Sequence, residues 1–353
     1  MKILITGSNG FIGKNLFYNL QFRSEYELMP YDLGNNIDEL YHFLDTADFI
    51  FHLAGINRPK NESEFFEGNS GFTKIIIDYL ILKNKKTPIL ITSSIQAEKD
   101  NPYGRSKLMA EKELLSYSQK QSAPVLIYRL PNVFGKWCRP NYNSAIATWC
   151  HNIANDLPVQ ISDPGIELTL VYIDDVISSF IDKLAKHEWE MGEYYHNVPI
   201  QYKASLGEIV DLIKNFRSNR STLTIPEVGN GFKRALYSTY LSYLPEDKFS
   251  YPLLQHSDDR GSFVEVLKTM GSGQISISTS KPGVIRGNHF HHTKNEKFLV
   301  VKGEAIIRFR RIDLDKIITY AVSGSMPTVV DIPAGYTHHI ENIGEEEMIL
   351  VLW

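Results

Sequence analysis

The first thirteen residues, MKILITGSNGFIG (1–13), place a short apolar strand before three glycines and the start of a helix. Gly7, Gly10 and Gly13 form a G-x-x-G-x-x-G loop. Such a loop lets the backbone approach a pyrophosphate, and the helix behind it presents N–H donors and the positive end of its dipole. A purely structural tight turn also needs glycines, so the loop predicts a nucleotide site only together with the pattern that follows it.

Two patterns divide the 353 residues. Up to about residue 235, apolar runs alternate with amphipathic segments, which is typical of a parallel sheet wrapped by helices. From about residue 259, closely spaced strands with polar turns predict an antiparallel sandwich or barrel. The segment between them, LYSTYLSYLPEDKFSYPLLQHSDD (236–259), is rich in tyrosine and is predicted to be an ordered connector. We therefore expect two domains, residues 1–243 and 244–353, as the length also suggests.

The composition is that of an ordinary globular protein. The chain is 43% hydrophobic and 22% charged, with a formal net charge of −4, which argues against binding nucleic acid or membranes by bulk charge. Two cysteines, Cys138 and Cys150, give no disulfide framework and fit a reducing compartment. No signal-peptide pattern or membrane-length apolar run is present, so the cytoplasm is the expected location.

Asp32 follows YELMPY (26–31), at strand–helix–strand distance from the glycine loop. An acid at the end of the second strand would bind the adenosine ribose diol and favour NAD over NADP. The alternative is that Asp32 is simply the acid of a turn.

Tyr103 and Lys107, in YGRSK (103–107), lie at i and i+4 on one helical face. An ammonium one turn from a phenol favours the phenolate and makes the tyrosine a usable proton donor or acceptor. ITSSIQ (91–96) ends a strand shortly before, so Ser94, or its neighbour Ser93, can hydrogen-bond the same substrate oxygen. Taken alone, a Tyr-x-x-x-Lys pair is common on surface helices.

Six motifs in order resemble the extended short-chain dehydrogenase/reductase family over roughly residues 1–235: TGSNGFIG (6–13), FIFHLAG (49–55), TSSIQ (92–96), YGRSK (103–107), RLPNVFG (129–135) and LVYIDDV (170–176). The resemblance implies an α/β Rossmann domain, a nucleotide-sugar substrate, and Ser94, Tyr103 and Lys107 acting on a carbonyl while a nicotinamide carries hydride. The coenzyme residues that it implies are Gly7, Asn9, Gly10, Phe11, Ile12, Gly13, Asp32, Leu53, Ala54, Gly55 and Lys107.

The same resemblance suggests substrate contacts in RLPNVFGKWCRPNYNS (129–144). Lys136 and Arg139 would contact the diphosphate, and Asn132 and Asn143 would lie near the sugar; a solvated loop is the alternative. One departure is ELTLVYIDDV (167–176), which lacks the arginine that the family carries there.

Histidines dominate a second constellation. His289, His291 and Glu296 stand in HFHHTKNE (289–296), and His338 lies in PAGYTHHIEN (333–342). Alternate residues of a strand face one side, so His289 and His291 can point into a barrel together. Three imidazoles and one carboxylate suit zinc, manganese, iron or nickel and leave positions open for water or substrate.

These two motifs resemble the cupin superfamily, over about residues 259–353, although the second motif lacks its usual leading glycine. DDRGSFVE (258–265), PGVIRGNHFH (282–291) and DIPAGYTHHI (331–340) are similar to the deoxysugar 3,5-epimerases. In those enzymes the histidine at the position of His289 is the base, and no metal is needed. Because His289 here also begins the metal motif, it is predicted to be a ligand, with the role of base as the alternative. Arg260 and Arg286 are implied as substrate contacts.

As a whole, the chain resembles a family of capsular polysaccharide synthesis enzymes that fuse these two domains. The resemblance implies epimerisation at C3 and reduction at C4 of UDP-2-acetamido-2,6-dideoxy-hexos-4-ulose. It also implies NADPH, one divalent metal, with zinc as the first candidate, and a homodimer. Because Asp32 has no basic residue beside it, we expect NADPH to be used with weak discrimination against NADH. A cupin that only binds sugar or dimerises, beside an active reductase, is the alternative.

Overall fold

The computed structural model describes residues 1–187, 189 and 191–353. They form two compact units: residues 1–214 with 234–245, and residues 215–233 with 246–353. The single division at residue 243 predicted from the sequence does not coincide with these units, because residues 215–233 belong with the second one. In the described part of the chain, no helix is long and apolar enough to cross a bilayer.

The first unit is built on a six-stranded sheet in which every pairing is parallel. The strands of this unit are β1 (Lys2–Thr6), β2 (Glu27–Tyr31), β3 (Phe49–His52), β4 (Ile89–Ser94), β5 (Val125–Leu130), β6 (Asn132–Phe134), β7 (Glu167–Tyr172), β8 (Tyr195–His196) and β9 (Tyr202–Ser205). Their order in the main sheet is β2-β1-β3-β4-β5-β8, and β6, β7 and β9 form a separate small sheet. All four residues of β3 and all six of β4 are buried, as expected when helices cover both faces of a parallel sheet.

Nine α-helices occur among the described residues. They are α1 (Phe11–Leu20), α2 (Ile37–Thr46), α3 (Ser63–Phe65), α4 (Phe72–Leu82), α5 (Pro102–Gln121), α6 (Ala145–Ala154), α7 (Ile173–Lys186), α8 (Leu206–Thr222) and α9 (Gly231–Leu241). A π-helical turn (Phe66–Gly71) and two 3₁₀ turns (Ile95–Glu98 and Glu246–Lys248) complete them. One face of the sheet packs against α1 and α7, and the other packs against α2, α4 and α5. Both faces of the sheet are therefore closed by apolar packing.

The second unit is mainly antiparallel. Its strands are β10 (Thr224–Ile225), β11 (Gln255–Asp258), β12 (Gly261–Thr269), β13 (Gly273–Ser280), β14 (Ile285–His289), β15 (Glu296–Lys302), β16 (Glu304–Arg311), β17 (Ile317–Ser323), β18 (Val329–Ile332), β19 (Tyr336–Asn342) and β20 (Met348–Leu352). One sheet runs β10-β12-β13-β20-β15-β18, with β11 pairing β12, and the other runs β14-β19-β16-β17. Inward side chains such as Phe298, Ile307 and Leu350 form its core. The predicted fold class, an α/β Rossmann part followed by an all-β part, is confirmed.

The connector contains more helix than its sequence indicated. Part of the tyrosine-rich stretch lies in α9, and Tyr243, just beyond that helix, donates a hydrogen bond to the Cys138 carbonyl within the first unit. Residues 236–245 belong to the first unit and residues 246–259 to the second, and the order of the connector stays a prediction. Its helical character was hidden by the prolines that follow at Pro245 and Pro252.

Candidate functional site

The glycine loop joins β1 to α1 in a conformation that other residues could not adopt. Gly7 has φ +70°, and a Cβ there would lie 2.6 Å from the Ala54 backbone nitrogen. A Cβ on Gly13 would lie 2.1 Å from the Gly7 carbonyl oxygen. Gly10 is the N-cap of α1 and has no side chain to offer the first N–H groups of the helix. The loop thus keeps these donors and the helix dipole available to an anion such as a pyrophosphate.

Asp32 lies immediately after β2, beside the glycine loop. Its Oδ2 accepts from the Asn9 N–H at 2.7 Å and its Oδ1 accepts from the Leu33 N–H at 2.8 Å. No lysine or arginine occurs in the turn DLGNN (32–36). The carboxylate therefore has both oxygens on backbone donors, and it would repel a phosphate placed on the adenosine ribose.

Ser94, Tyr103 and Lys107 are brought together at the end of β4 and the start of α5. The helix begins here because the Asn101 side chain accepts from the Gly104 N–H at 2.8 Å and proline occupies the first helical position. Ser94 hydrogen-bonds Tyr103. The helix start therefore fixes the spacing of the three side chains.

The pKa values of the pair reflect burial. Burial raises the pKa of Tyr103, and the hydrogen bond with Ser94 opposes that shift. Burial lowers the pKa of Lys107 to about 8, against the attraction of Glu111. The sequence predicted that Lys107 would favour the phenolate, but burial has the larger effect in this structure. A tyrosine that keeps its proton suits a proton donor.

The side chains of the two serines have different partners. Ser93, the neighbour considered as an alternative, donates to the buried carboxylate of Glu111. Ser94 points to Tyr103 and accepts from the Gln96 N–H at 3.1 Å. Successive side chains of a strand point to opposite faces, so only Ser94 shares the space with Tyr103.

Asn69, in the π-helical turn, was missed by sequence reasoning. Its side chain accepts from the Ile56 N–H at 2.9 Å and donates to Ser106 Oγ at 2.9 Å. A Cβ on Gly55 would lie 2.8 Å from Asn69 Oδ1 and 3.4 Å from Lys107 Nζ. Gly55 thus allows the lysine and the amide to approach the strand end, and no motif in the sequence marked Asn69 for that position.

His52, the last residue of β3, is a second missed residue. Its ring lies between Thr6 Oγ1 at 2.7 Å and Thr73 Oγ1 at 2.8 Å. Burial, with the charge of Lys107, lowers the pKa of His52 to about 3. It therefore stays neutral and connects the strand that precedes the glycine loop to α4.

The four residues predicted to contact substrate lie in or near one loop, and three of them have separate side-chain partners. Lys136 pairs with Asp174, Arg139 stacks on the Tyr142 ring at 5.5 Å, and the Asn132 side chain donates to the Thr169 carbonyl at 3.1 Å. Asn132, Arg139 and Asn143 are exposed. Their predicted roles stay predictions.

In the second unit, the four predicted metal ligands are brought together. The ligand atoms of His289, His291, Glu296 and His338 all lie within 4.8 Å of one another. Glu296 Oε2 lies 3.3 Å from His291 Nε2 and 3.3 Å from His338 Nε2. The neighbouring His338 imidazole lowers the pKa of Glu296 to about 2, so the carboxylate is ionised.

The geometry of this cluster fits a metal ion. His291 Nε2, Glu296 Oε2 and His338 Nε2 are buried, and none has a hydrogen-bond partner. Two ligands bound to one zinc ion at about 2.0–2.1 Å in tetrahedral geometry are about 3.3–3.4 Å apart, which matches both measured separations. Buried polar atoms without partners are costly, and a shared cation would satisfy all three at once.

A bulge, rather than simple alternation, orients the histidines. His289 ends β14 and pairs with His338 on β19, with a register shift between Gly287 and His289. Gly287 has φ +108°, and a Cβ there would lie 2.8 Å from the His338 carbonyl oxygen. His291 lies beyond the strand, so the prediction that both histidines share one strand was wrong. The His291 carbonyl accepts from the Gly335 N–H at 2.9 Å, and the centroid of the His291 ring lies 4.9 Å from that of His289.

Arg260 and Arg286 meet on one carboxylate. Asp258 accepts from Arg260 at 2.6 Å and 3.0 Å, and lies 3.5 Å from Arg286 Nη2. Arg286 Nε also donates to Ser280 Oγ at 3.1 Å, while its Nη2 is buried with no hydrogen-bond partner. Two guanidinium groups sharing one acid leave positive charge for an anionic ligand.

Two protein families match the chain, one in its N-terminal part and one in its C-terminal part. Residues 3–195 match the NAD dependent epimerase/dehydratase family, and residues 256–353 match the polysaccharide biosynthesis C-terminal domain. The chain belongs to the NAD dependent epimerase/dehydratase family. Membership in this family implies a nicotinamide coenzyme, in agreement with the glycine loop.

Two similar proteins match the chain over its full length. It is 47% identical to UDP-2-acetamido-2,6-beta-L-arabino-hexul-4-ose reductase of Pseudomonas aeruginosa, over 100% of this chain and 94% of that protein. The crystal structure of the capsular polysaccharide assembling protein CapF from Staphylococcus aureus has a TM-score of 0.93 and 49% identity, over 100% of this chain and 95% of that one. UDP-glucuronic acid 4-epimerase of Bacillus cereus (TM-score 0.59, 19% identity, 69% of this chain and 98% of that one) shares the fold alone.

Proposed function

We propose that the chain is a bifunctional nucleotide-sugar enzyme of capsule or surface polysaccharide synthesis. The second unit epimerises C3 of UDP-2-acetamido-2,6-dideoxy-hexos-4-ulose, and the first unit reduces the C4 ketone with NADPH to give a precursor of UDP-N-acetyl-L-fucosamine. The observation that carries the proposal is the joint presence of a Ser94–Tyr103–Lys107 group and a four-ligand cluster in one chain. Full-length similarity to a hexulose reductase and to CapF supports it.

Reduction needs a proton at the C4 oxygen. When bound, NADPH supplies the hydride to C4. Tyr103 donates its proton to the developing alkoxide, and Ser94 hydrogen-bonds the same oxygen. Lys107, with its pKa near 8, is largely protonated at neutral pH and stabilises the phenolate that Tyr103 leaves behind.

Epimerisation depends on the ketone that reduction later removes. The C4 carbonyl acidifies the C3 hydrogen, so C3 must invert before hydride reaches C4. His289, His291, Glu296 and His338 would hold a divalent metal, zinc being the first candidate, which supplies polarisation of the ketone. His289 is the most exposed of the four, and its alternative role as the base at C3 stays a prediction.

Charged groups in each unit suit a sugar diphosphate. In the second unit, Arg260 and Arg286 share the Asp258 carboxylate and present positive charge. In the first unit, Lys136 and Arg139 are the basic residues that follow the RLPNVFG motif. We assign the first pair to the substrate of epimerisation and the second pair to the substrate of reduction. A homodimer and a cytoplasmic location stay predictions.

The test is product analysis of the 4-keto sugar incubated in heavy water, with and without NADPH, by mass spectrometry and NMR. Without coenzyme we expect deuterium at C3, and with coenzyme a C4 alcohol inverted at C3. His338→Ala should abolish the deuterium incorporation, because it removes a buried ligand. Should the wild-type enzyme reduce C4 while C3 stays unlabelled and uninverted, the epimerase assignment is wrong.

A second candidate is a reductase whose second unit only binds sugar or dimerises. The name of the Pseudomonas relative, which mentions reduction alone, favours it. The two candidates differ in one observable, since a binding module cannot exchange a carbon-bound hydrogen. The C3 deuterium measurement therefore separates them.

A further inference from the structure

Glu111 is a fully buried carboxylate on which four elements converge. It lies on α5, one turn beyond Lys107, with no exposed surface. Ser93 on β4 donates to it, Arg129 on β5 donates through Nε at 3.0 Å and Nη2 at 2.6 Å, and the Tyr195 hydroxyl on β8 donates at 3.3 Å. One side chain thus ties the helix to three strands of the sheet.

Arg129 completes the arrangement. Its third nitrogen, Nη1, donates to Glu98 at 2.8 Å, and its guanidinium lies 4.6 Å from the centre of the Tyr195 ring. The bidentate bond to Glu111 raises the pKa of Arg129, so the guanidinium remains charged. A buried acid is tolerated only with such a partner, because removing one member of a buried pair leaves an uncompensated buried charge.

The position of this pair relates it to the reacting groups. Ser94 follows Ser93 on β4, and Tyr103 and Lys107 precede Glu111 on α5. The bonds to Glu111 therefore join the strand that carries the serine to the helix that carries the tyrosine and the lysine. Small shifts between these elements would change the distance between Ser94 and Tyr103, and misplacement by about 1 Å can cost 10²-fold in rate.

We propose that Glu111 and Arg129 form a positioning pair for C4 reduction. The pair fixes α5 against β4, and the Glu111 carboxylate places a negative charge one helical turn from the Lys107 ammonium. The inference rests on the proposed reductase activity and extends it to residues outside the Ser94, Tyr103 and Lys107 group. Two functions, mechanical and electrostatic, are assigned to one carboxylate.

The charges around Lys107 set the sign of the electrostatic effect. Glu111 lies on its own helix and raises the pKa of Lys107, against burial. Across from the helix, His52 stays neutral, since its pKa is about 3. Tyr103, with a raised pKa, remains protonated through the same range. Removing the charge of Glu111 should therefore lower the pKa of Lys107, and the ammonium should be lost at lower pH.

Glu111→Gln is the decisive variant, because it keeps the size and one acceptor oxygen but removes the charge. We expect the basic limb of the kcat/KM profile for NADPH-dependent C4 reduction to move down by about one pH unit. Glu98→Gln is the matched control: Glu98 contacts the same arginine but is 71% exposed, and the limb should not move. A merely structural Glu111 would lower the rate equally at every pH.

A melting curve checks that Glu111→Gln is folded at the assay temperature. If it is not, the double variant Glu111→Gln, Arg129→Gln leaves no unpaired buried charge and should still shift the limb downward, by less than Glu111→Gln, because the cation that opposes the carboxylate is lost too. If the basic limb of the kcat/KM profile of the folded variant coincides with that of the wild type, the proposal of a positioning pair is wrong. A wild-type enzyme that reduces no 4-keto sugar overturns the proposed function instead, so the two failures are distinguishable.

Discussion

Tyr103→Phe separates the two proposed reactions. The hydroxyl hydrogen-bonds Ser94, and the ring packs against Phe65 with centroids 5.6 Å apart. Phenylalanine keeps that ring contact and loses one hydrogen bond, which costs about 1 kcal/mol, or roughly 2 °C in Tm for a chain of this size. The proton donor is lost altogether, so we expect kcat for C4 reduction to fall by about 10²–10⁴, equivalent to about 3–5 kcal/mol in the barrier.

The assay follows NADPH oxidation for reduction, and deuterium at C3 without coenzyme for epimerisation. Tyr117→Phe is the control, since Tyr117 lies on the same helix and donates to the Lys85 carbonyl at 3.2 Å and the Thr87 carbonyl at 3.0 Å. It should lower Tm at least as much as Tyr103→Phe while leaving kcat unchanged. Equal losses of reduction and C3 exchange in Tyr103→Phe would refute the division of labour. A loss in reduction below about tenfold would refute Tyr103 as the donor.

Three further outcomes are expected. His338→Ala should lower the bound metal, measured by elemental analysis, and abolish C3 exchange, whereas an unchanged metal content would exclude the ligand assignment. NADPH and NADH should give kcat/KM values within about tenfold of each other, because Asp32 is half-buried and a solvent-screened charge pair is worth only about 1 kcal/mol; strict NADPH preference would show that Asp32 does not lie at the ribose. Gly13→Ala should abolish coenzyme binding, because its Cβ would lie 2.1 Å from the Gly7 carbonyl oxygen, and unchanged coenzyme fluorescence titration would contradict this.

The sequence predicted the main strands closely because they are continuous apolar runs between glycines and polar turns. The short apolar strand predicted before the glycine loop is β1, and the helix predicted to begin at the end of that loop is α1. β19, which carries His338, was not predicted, because PAGYTHHIEN has a polar composition. Its alternate residues are nevertheless buried, since they line the interior of the second unit.

The candidate site was predictable where spacing along one helix or one motif determines it. Tyr103 and Lys107 are an example, because α5 places residues four apart on the same face. The contributions of Asn69, Glu111 and Arg129 were not predictable, since they depend on which strands become neighbours in the sheet. Likewise, His291 reaches the cluster through a turn whose path follows from the backbone of Gly287, and no periodicity encodes it.

The assignment of residues 215–233 to the second unit limits how the protein can be dissected. A C-terminal fragment that starts near residue 246 would lack β10, which pairs in parallel with β12 through Thr224 and Ile225. That edge of the sheet would be left with open hydrogen-bonding groups, a known route to self-association. An inactive or insoluble fragment would therefore say nothing about catalysis by the histidine cluster, and point substitutions in the intact polypeptide are the sounder means of assigning activity to each half.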